Sequence, residues 1–226
     1  MDPVKLKFSE KYDEEHAQRY LHKHRSGLAR RLSNWRDMQL ARKALEIAGE
    51  PGLVLDLPCG AGRFWPLLAE KRNRVIMAAD NSESMLRAAA NGQPMDIVEH
   101  IELRQMSAFD TGLADNAVDT IFCMRLLHHI GEAEHRRALL SEFHRVTRET
   151  VIISLWVDGN FKAWRRKRQE QKRQAQNRAY DYQNRFVLPE KTVEAEFVEA
   201  GFDIQARLDF IPLYAMWRVY VLRKQS

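Results

Sequence analysis

The chain has 226 residues and only two cysteines, Cys59 and Cys123, each inside its own apolar run. That excludes a disulfide framework and makes a reducing compartment the expectation. The first residues, Met1-Asp2-Pro3-Val4-Lys5, carry no apolar segment of a secretory signal. No stretch approaches the ~18 consecutive apolar residues of a membrane span. The expectation is therefore a soluble, cytoplasmic protein. No H-x-x-x-H pair occurs among the eight histidines, which argues against a metal site. No G-x-x-x-x-G-K-S/T loop is present, so a P-loop nucleotide site is disfavoured. Internal repeats are also missing.

What is present is a moderate excess of positive charge. The formal net charge is +5 and the sequence pI is about 9.3. The excess is unevenly placed. Lys162, Arg165, Arg166, Lys167, Arg168, Lys172, Arg173 and Arg178 face a single acid, Glu170, across residues 161–178. Such a balance favours anionic partners.

Periodicity divides the chain. Residues 1–49 read as a polar helical cap, with Ala17, Tyr20, Leu21, Leu28, Leu32 and Trp35 near helical spacing. Leu40, Ala44, Leu45 and Ile47 continue into a helix stopped by Gly49-Glu50-Pro51-Gly52. Short apolar runs at 53–57, 75–79, 101–105, 118–124 and 151–156 then alternate with helical stretches at about 63–71, 84–90 and 133–145. Alternation of that kind predicts an α/β fold, a parallel sheet covered on both faces. A helix over 191–200 and two strands, Phe202–Phe210 and Met216–Leu222, close the chain.

The first strand ends in Asp56 and runs into Pro58-Cys59-Gly60-Ala61-Gly62. A glycine turn at the carboxyl end of the first strand lets a ligand approach the backbone. Asp80 closes the second strand twenty residues after Gly60, where an acid can accept both hydroxyls of a ribose. A dinucleotide fingerprint would need a third glycine at position 65, where Trp65 stands, so nicotinamide and flavin dinucleotides are disfavoured.

These residues resemble the class I S-adenosylmethionine-dependent methyltransferases. The resemblance lies in Asp56-Leu57-Pro58-Cys59-Gly60-Ala61-Gly62, in Asp80-Asn81-Ser82-Glu83-Ser84-Met85-Leu86, in Asp115 to Ile121 and in Leu127-His128-His129-Ile130. It covers roughly residues 50–156 and looks like the small-molecule branch related to ubiquinone-biosynthesis methyltransferases. It implies a doubly wound, Rossmann-like sheet of seven strands with the last antiparallel. It also implies S-adenosylmethionine as cofactor, with Asp56, Gly60 and Gly62 around the methionine part, Asp80 and Asn81 at the ribose, and Met85, Ser107 and Ala108 at the adenine. Pro58 stands where the family usually has its first glycine, and Ser107 where many relatives carry an acid.

Several readings stay open on the residues alone. Asp80 also suits a helix cap, and Met85 a core position. His128 and His129 are candidate general bases or turn caps at the ligand edge. Arg125 suits a cofactor carboxylate, an anionic substrate or an internal salt bridge. The run 161–178 is either a solvated helical face or a binding surface, with Trp164 and Tyr180 among its cations. Its spacing shows no clear apolar stripe of the kind an amphipathic membrane helix needs. One domain is expected over 1–226: cap 1–49, cofactor core 50–156, basic insert or lid 157–188, and a final helix and strand pair over 189–226. The expected reaction is methyl transfer to a small acidic or phosphorylated acceptor. The alternatives are an RNA methyltransferase using the insert and a non-catalytic binding module.

Overall fold

The computed structural model describes residues 27–175 and 185–225. The expected cap over residues 1–26, with Ala17, Tyr20 and Leu21, lies outside the described residues, as do Arg178 and Tyr180.

Seven strands form one sheet: β1 (Leu53–Asp56), β2 (Val75–Asp80), β3 (Ile101–Gln105), β4 (Val118–Cys123), β5 (Thr147–Trp156), β6 (Phe202–Asp209) and β7 (Trp217–Lys224). Their order is β3-β2-β1-β4-β5-β7-β6, and β7 runs antiparallel to both its neighbours. The fold is the doubly wound α/β sheet that the alternation predicts. From β1 the chain winds outward through β2 to β3, then crosses back to β4. The carboxyl ends of β1 and β4 therefore flank the switch point, where open α/β sheets leave a crevice.

The central strands are apolar on both faces because helices cover both. One layer packs Val54, Ile76, Phe122, Ile152 and Val221 against α1 (Leu28–Ile47) and α3 (Glu83–Gly92). The other packs Leu55, Met77, Ile121, Ile153 and Leu222 against α5 (Ala133–Val146) and α7 (Glu190–Glu199). Between those two helices the buried Arg136 forks onto Glu196 at 2.8 and 2.5 Å. It also donates to the carbonyls of Ile130 and Gly131, so one guanidinium joins both helices to the turn after β4.

Three elements depart from the periodicity. The helix expected to reach Lys71 is a single turn, α2 (Trp65–Leu68), because Gly60-Ala61-Gly62 is spent on turns before it. β5 begins four residues early, at polar Thr147. There Thr147 Oγ1 bonds the carbonyls of Asp119 and Thr150 across a β4 bulge, and Arg148 pairs with Asp119. Two short turns without an apolar period also form, α4 (Met95–Val98) and a 3-10 turn over Leu127–His129. The basic insert contributes α6 (Phe161–Ala175).

Among the described residues, no helix is long and apolar enough to cross a membrane. Cys59 and Cys123 are buried free thiols.

Candidate functional site

The loop after β1 is pinned on both sides. The Leu57 N–H donates to the Phe122 carbonyl on β4, and the Cys59 N–H to the Ala79 carbonyl on β2. Pro58, which has no N–H, sits between these two bonds, so the ladder loses nothing there. Gly60 and Gly62 follow at φ 55° and 69°, the left-handed region that favours glycine. At Gly62 the reason is internal: a Cβ would stand 2.7 Å from the Trp65 indole. That indole is fully buried and donates to Asp56 Oδ2 at 3.2 Å. Trp65 thus fills the space a third glycine leaves open in dinucleotide sites. Its part in fixing Asp56 was not foreseen from the sequence.

Asp80 sits at the end of β2 with both oxygens aimed at the loop. Oδ2 accepts the Gly60 N–H at 3.0 Å and Oδ1 the Ser82 N–H at 2.9 Å. An ionised carboxylate has about four acceptor positions, so two remain for a ligand's hydroxyls. Burial pushes its carboxyl pKa up, opposed by the N–H groups of Ser82, Gly60 and Asn81. Asp56 is more deeply buried, and desolvation pushes its carboxyl well above the usual carboxylate range, against the Trp65 bond. The helix-cap role considered for Asp80 belongs to Ser82, whose hydroxyl accepts the Met85 N–H at 3.3 Å.

The remaining cofactor candidates gather near this loop. Met85 is buried, its methyl 3.7 Å from where a Gly60 Cβ would be. Asn81 is exposed, and its carbonyl accepts Gln105. Met106 is tied to the Asp80 carbonyl, which carries Ser107 and the buried Ala108 to the end of β2. Ser107 Oγ accepts the Phe109 N–H. A carboxylate with spare acceptors, a glycine turn that exposes backbone, and a buried thioether suit a nucleoside carrying an amino-acid tail.

A second cluster lies beyond β4 and β5. Arg125, at φ 68°, donates its N–H to Ser154 and pairs with Asp37 of α1 at 2.5 Å. Its guanidinium lies 4.8 Å above the Trp217 ring. Arg63 meets the same Asp37 carboxylate at 2.6 Å. The internal salt bridge is therefore the geometry Arg125 adopts, and no motif in the sequence marks its partner Asp37. His128 is buried, stacked on Trp156 at 5.1 Å and set edge-on to Trp217 at 4.8 Å. Its Nδ1 and the Trp156 Nε1 are buried with no hydrogen-bond partner among the described residues. Desolvation holds His128 well below the usual imidazole range, and the charges of His129, Arg185, Arg125 and Arg166 push the same way. It is thus neutral at neutral pH and, for the same reason, a weak proton acceptor. His129 packs against it with ring centroids 4.0 Å apart.

Arg166 of α6 covers Trp156 at 5.2 Å from outside. Next to it, a cavity of about 760 Å³ lies between α6 and the segment 186–189. Phe161, Trp164, Arg166, Lys167, Phe186 and Leu213 are among its walls. No group of three or more His, Cys, Asp or Glu side chains suited to a metal ion occurs among the described residues.

Residues 55–155 match the family model described as a methyltransferase domain. A phosphatidylethanolamine N-methyltransferase of Cereibacter sphaeroides is 32% identical over 117 residues, which is 50% of this chain and 55% of that protein. The match spans little more than half that relative's length. The magnesium protoporphyrin IX methyltransferase of Synechocystis PCC 6803, crystallised with S-adenosylhomocysteine, superposes with a TM-score of 0.71 at 15% identity, covering 93% of this chain and 94% of that one. A crystallised 4+2 cyclase superposes with a TM-score of 0.64 at 13% identity, covering 83% and 81%. Likeness at such identities shows the fold, and the fold alone does not name a reaction.

Proposed function

We propose that this chain, whose residues 55–155 match a methyltransferase domain, is a class I S-adenosylmethionine-dependent methyltransferase that transfers the cofactor's methyl group to a small acceptor bearing an acidic or phosphate group. The observation that carries the cofactor half is Asp80. Its carboxylate is fixed by two loop N–H groups with acceptor positions to spare, at the switch point of the sheet.

When bound, S-adenosylmethionine supplies a methyl group already activated by a sulfonium, so no strong base is needed for a nucleophilic acceptor. The residues' task is binding, alignment and exclusion of water. Asp80 accepts the ribose hydroxyls. Gly60 and its neighbours present backbone to the methionine part, while Met85 and Ala108 enclose the adenine. His128, Trp156 and Trp217 form an apolar wall on the acceptor side. The neutral His128 positions and desolvates in this reading rather than removing a proton. The described parts of the insert, 157–175 and 185–188, are its cover.

Support for an anionic acceptor comes from Arg185, whose guanidinium lies over the Trp156 ring at 5.9 Å, beside Arg125 and Arg166, which are paired with Asp37 and Glu170. A guanidinium matches phosphate and carboxylate bidentately. The Cereibacter relative, by its name, acts on a lipid whose head group carries a phosphate.

The test is calorimetry with S-adenosylhomocysteine, followed by a metabolite panel with radiolabelled S-adenosylmethionine. One binding site and label in anionic acceptors are expected. No cofactor binding would remove the whole reading. Turnover confined to neutral or cationic acceptors would remove its acceptor half.

A further inference from the structure

The cations of α6 and the apolar residues of the β6–β7 connection are far apart in sequence and side by side in the fold. Ala163, Arg166 and Glu170 form the inner side of α6: Ala163 is buried, and Arg166 is held by Glu170 at 2.9 Å and by the Arg185 carbonyl. On the opposite side of the helix, Phe161, Trp164, Arg165, Arg168 and Lys172 recur at helical spacing and are all exposed. The helix therefore has an outward face with aromatics at its start and cations after them.

That face continues onto the connection. The Phe161 N–H donates to the Leu213 carbonyl and the Lys162 N–H to the Tyr214 carbonyl. The Phe161 ring stacks on Tyr214 at 5.8 Å and 11° and meets Trp164 at 5.8 Å. Ile211, Pro212, Leu213 and Tyr214 are all exposed, Leu213 at 82% of its surface. Large apolar side chains are rarely gathered on a surface without a partner. Cations ring them: Lys162 lies over Tyr214 at 5.1 Å and Arg168 over Trp164 at 5.0 Å, with Arg165, Lys167 and Lys172 also exposed.

We infer that this face docks on an anionic lipid bilayer, with Leu213, Ile211, Phe161 and Trp164 entering the interface and the α6 cations on the head groups. Charge complementarity selects that occupant. A second copy of the face would bring its cations against like charge. Single-stranded RNA stacks on planar rings, yet Leu213 and Ile211, the protruding aliphatics, offer no π-face. Aromatic rings with snorkelling cations around inserted aliphatics are what a bilayer interface favours. Phe161, Trp164 and Leu213 also wall the 760 Å³ cavity, so its rim would lie at the head-group level. Docking goes beyond the proposed reaction and does not depend on it.

The experiment is co-sedimentation of the full chain with phosphatidylcholine vesicles, with and without phosphatidylglycerol, beside a labelled single-stranded RNA. Binding is expected only with phosphatidylglycerol and should weaken with salt. Each α6 cation replaced in Arg165→Gln, Arg168→Gln and Lys172→Gln should weaken it by about fivefold, the effect of one basic residue near an anionic surface. Leu213→Ser should also lose binding while S-adenosylhomocysteine affinity and melting temperature stay unchanged, since the side chain is exposed. No binding to phosphatidylglycerol vesicles, or binding indifferent to Leu213→Ser, overturns the inference. So does RNA binding that needs the same cations in the absence of vesicle binding. Failure of cofactor binding would leave these vesicle results standing and would count only against the proposed reaction.

Discussion

Replacing Asp80 by alanine separates two jobs that one carboxylate performs. In the free protein it accepts the N–H groups of Gly60 and Ser82 at 3.0 and 2.9 Å. Leaving those partly buried donors unpaired costs about 1–3 kcal/mol of stability, read as a lower melting temperature. On the proposed reading the same carboxylate would accept the ribose hydroxyls of the bound cofactor, and a hydrogen bond to a charged group contributes about 1.5–3 kcal/mol. S-adenosylhomocysteine affinity, measured by calorimetry well below the melting transition, should fall by roughly tenfold to a hundredfold. Asp80→Asn keeps one acceptor and the shape, so it should fall between wild type and alanine. Affinity should also decline as the pH drops through Asp80's raised value, because the protonated carboxyl loses an acceptor. A folded Asp80→Ala protein with unchanged affinity refutes the ribose assignment, whatever its melting temperature.

Gly62→Ala should lower stability by about 1–3 kcal/mol, since its φ is positive and its Cβ would press on Trp65; denaturant titration and a shift in tryptophan emission would show it, and neutral behaviour would contradict the packing. Asp56→Asn should stabilise the protein at neutral pH, because it removes a buried carboxylate whose pKa is raised by folding, so that its ionisation opposes the folded state. Wild type should recover ground as the pH falls through that raised value toward the ordinary carboxylate range, and parallel pH profiles of melting temperature would exclude this. Arg136→Met should cost about 3–5 kcal/mol by stranding the buried Glu196, while Arg136→Met with Glu196→Leu regains most of it; a double variant no better than the single one would speak against the pair as the cause.

The sheet was legible because its central strands are short, bare apolar runs that alternate with helical stretches. The cofactor loop was legible for a related reason: glycines, an acid and a second acid twenty residues on answer a ligand's geometry rather than the core's. Where the sequence misled, partners distant in the chain decide. Polar Thr147 and Arg148 fall between the expected helix over 133–145 and the apolar run at 151–156, yet they open β5 through bonds to Thr150 and Asp119. Arg125 suits a ligand or an internal salt bridge equally on the sequence, and the partner that decides, Asp37, stands 88 residues earlier. Trp65 was legible only as an obstacle, though its indole holds Asp56 and explains why Gly62 has no side chain.

The basic run shows the same limit most sharply. Read as a helix alone, 161–178 shows no apolar stripe, because only Phe161 and Trp164 sit on its outer face and the next positions there are cations. Four apolar residues come instead from 211–214, which the chain reaches after α7 and β6. They arrive there because β7 runs antiparallel to β5, so the start of β7 stands beside the end of β5, where α6 begins. The antiparallel last strand is thus more than a feature of the sheet's edge. It brings the β6–β7 connection to the rim of the switch-point face, the side on which Trp156, Trp217 and His128 cluster. On the proposed reading, a cofactor loop on β1 and β2 and an acceptor wall on β4, β5 and β7 would divide that face between them. Variation in the insert and in the connection can then change the acceptor without disturbing Asp80 or the glycine turn.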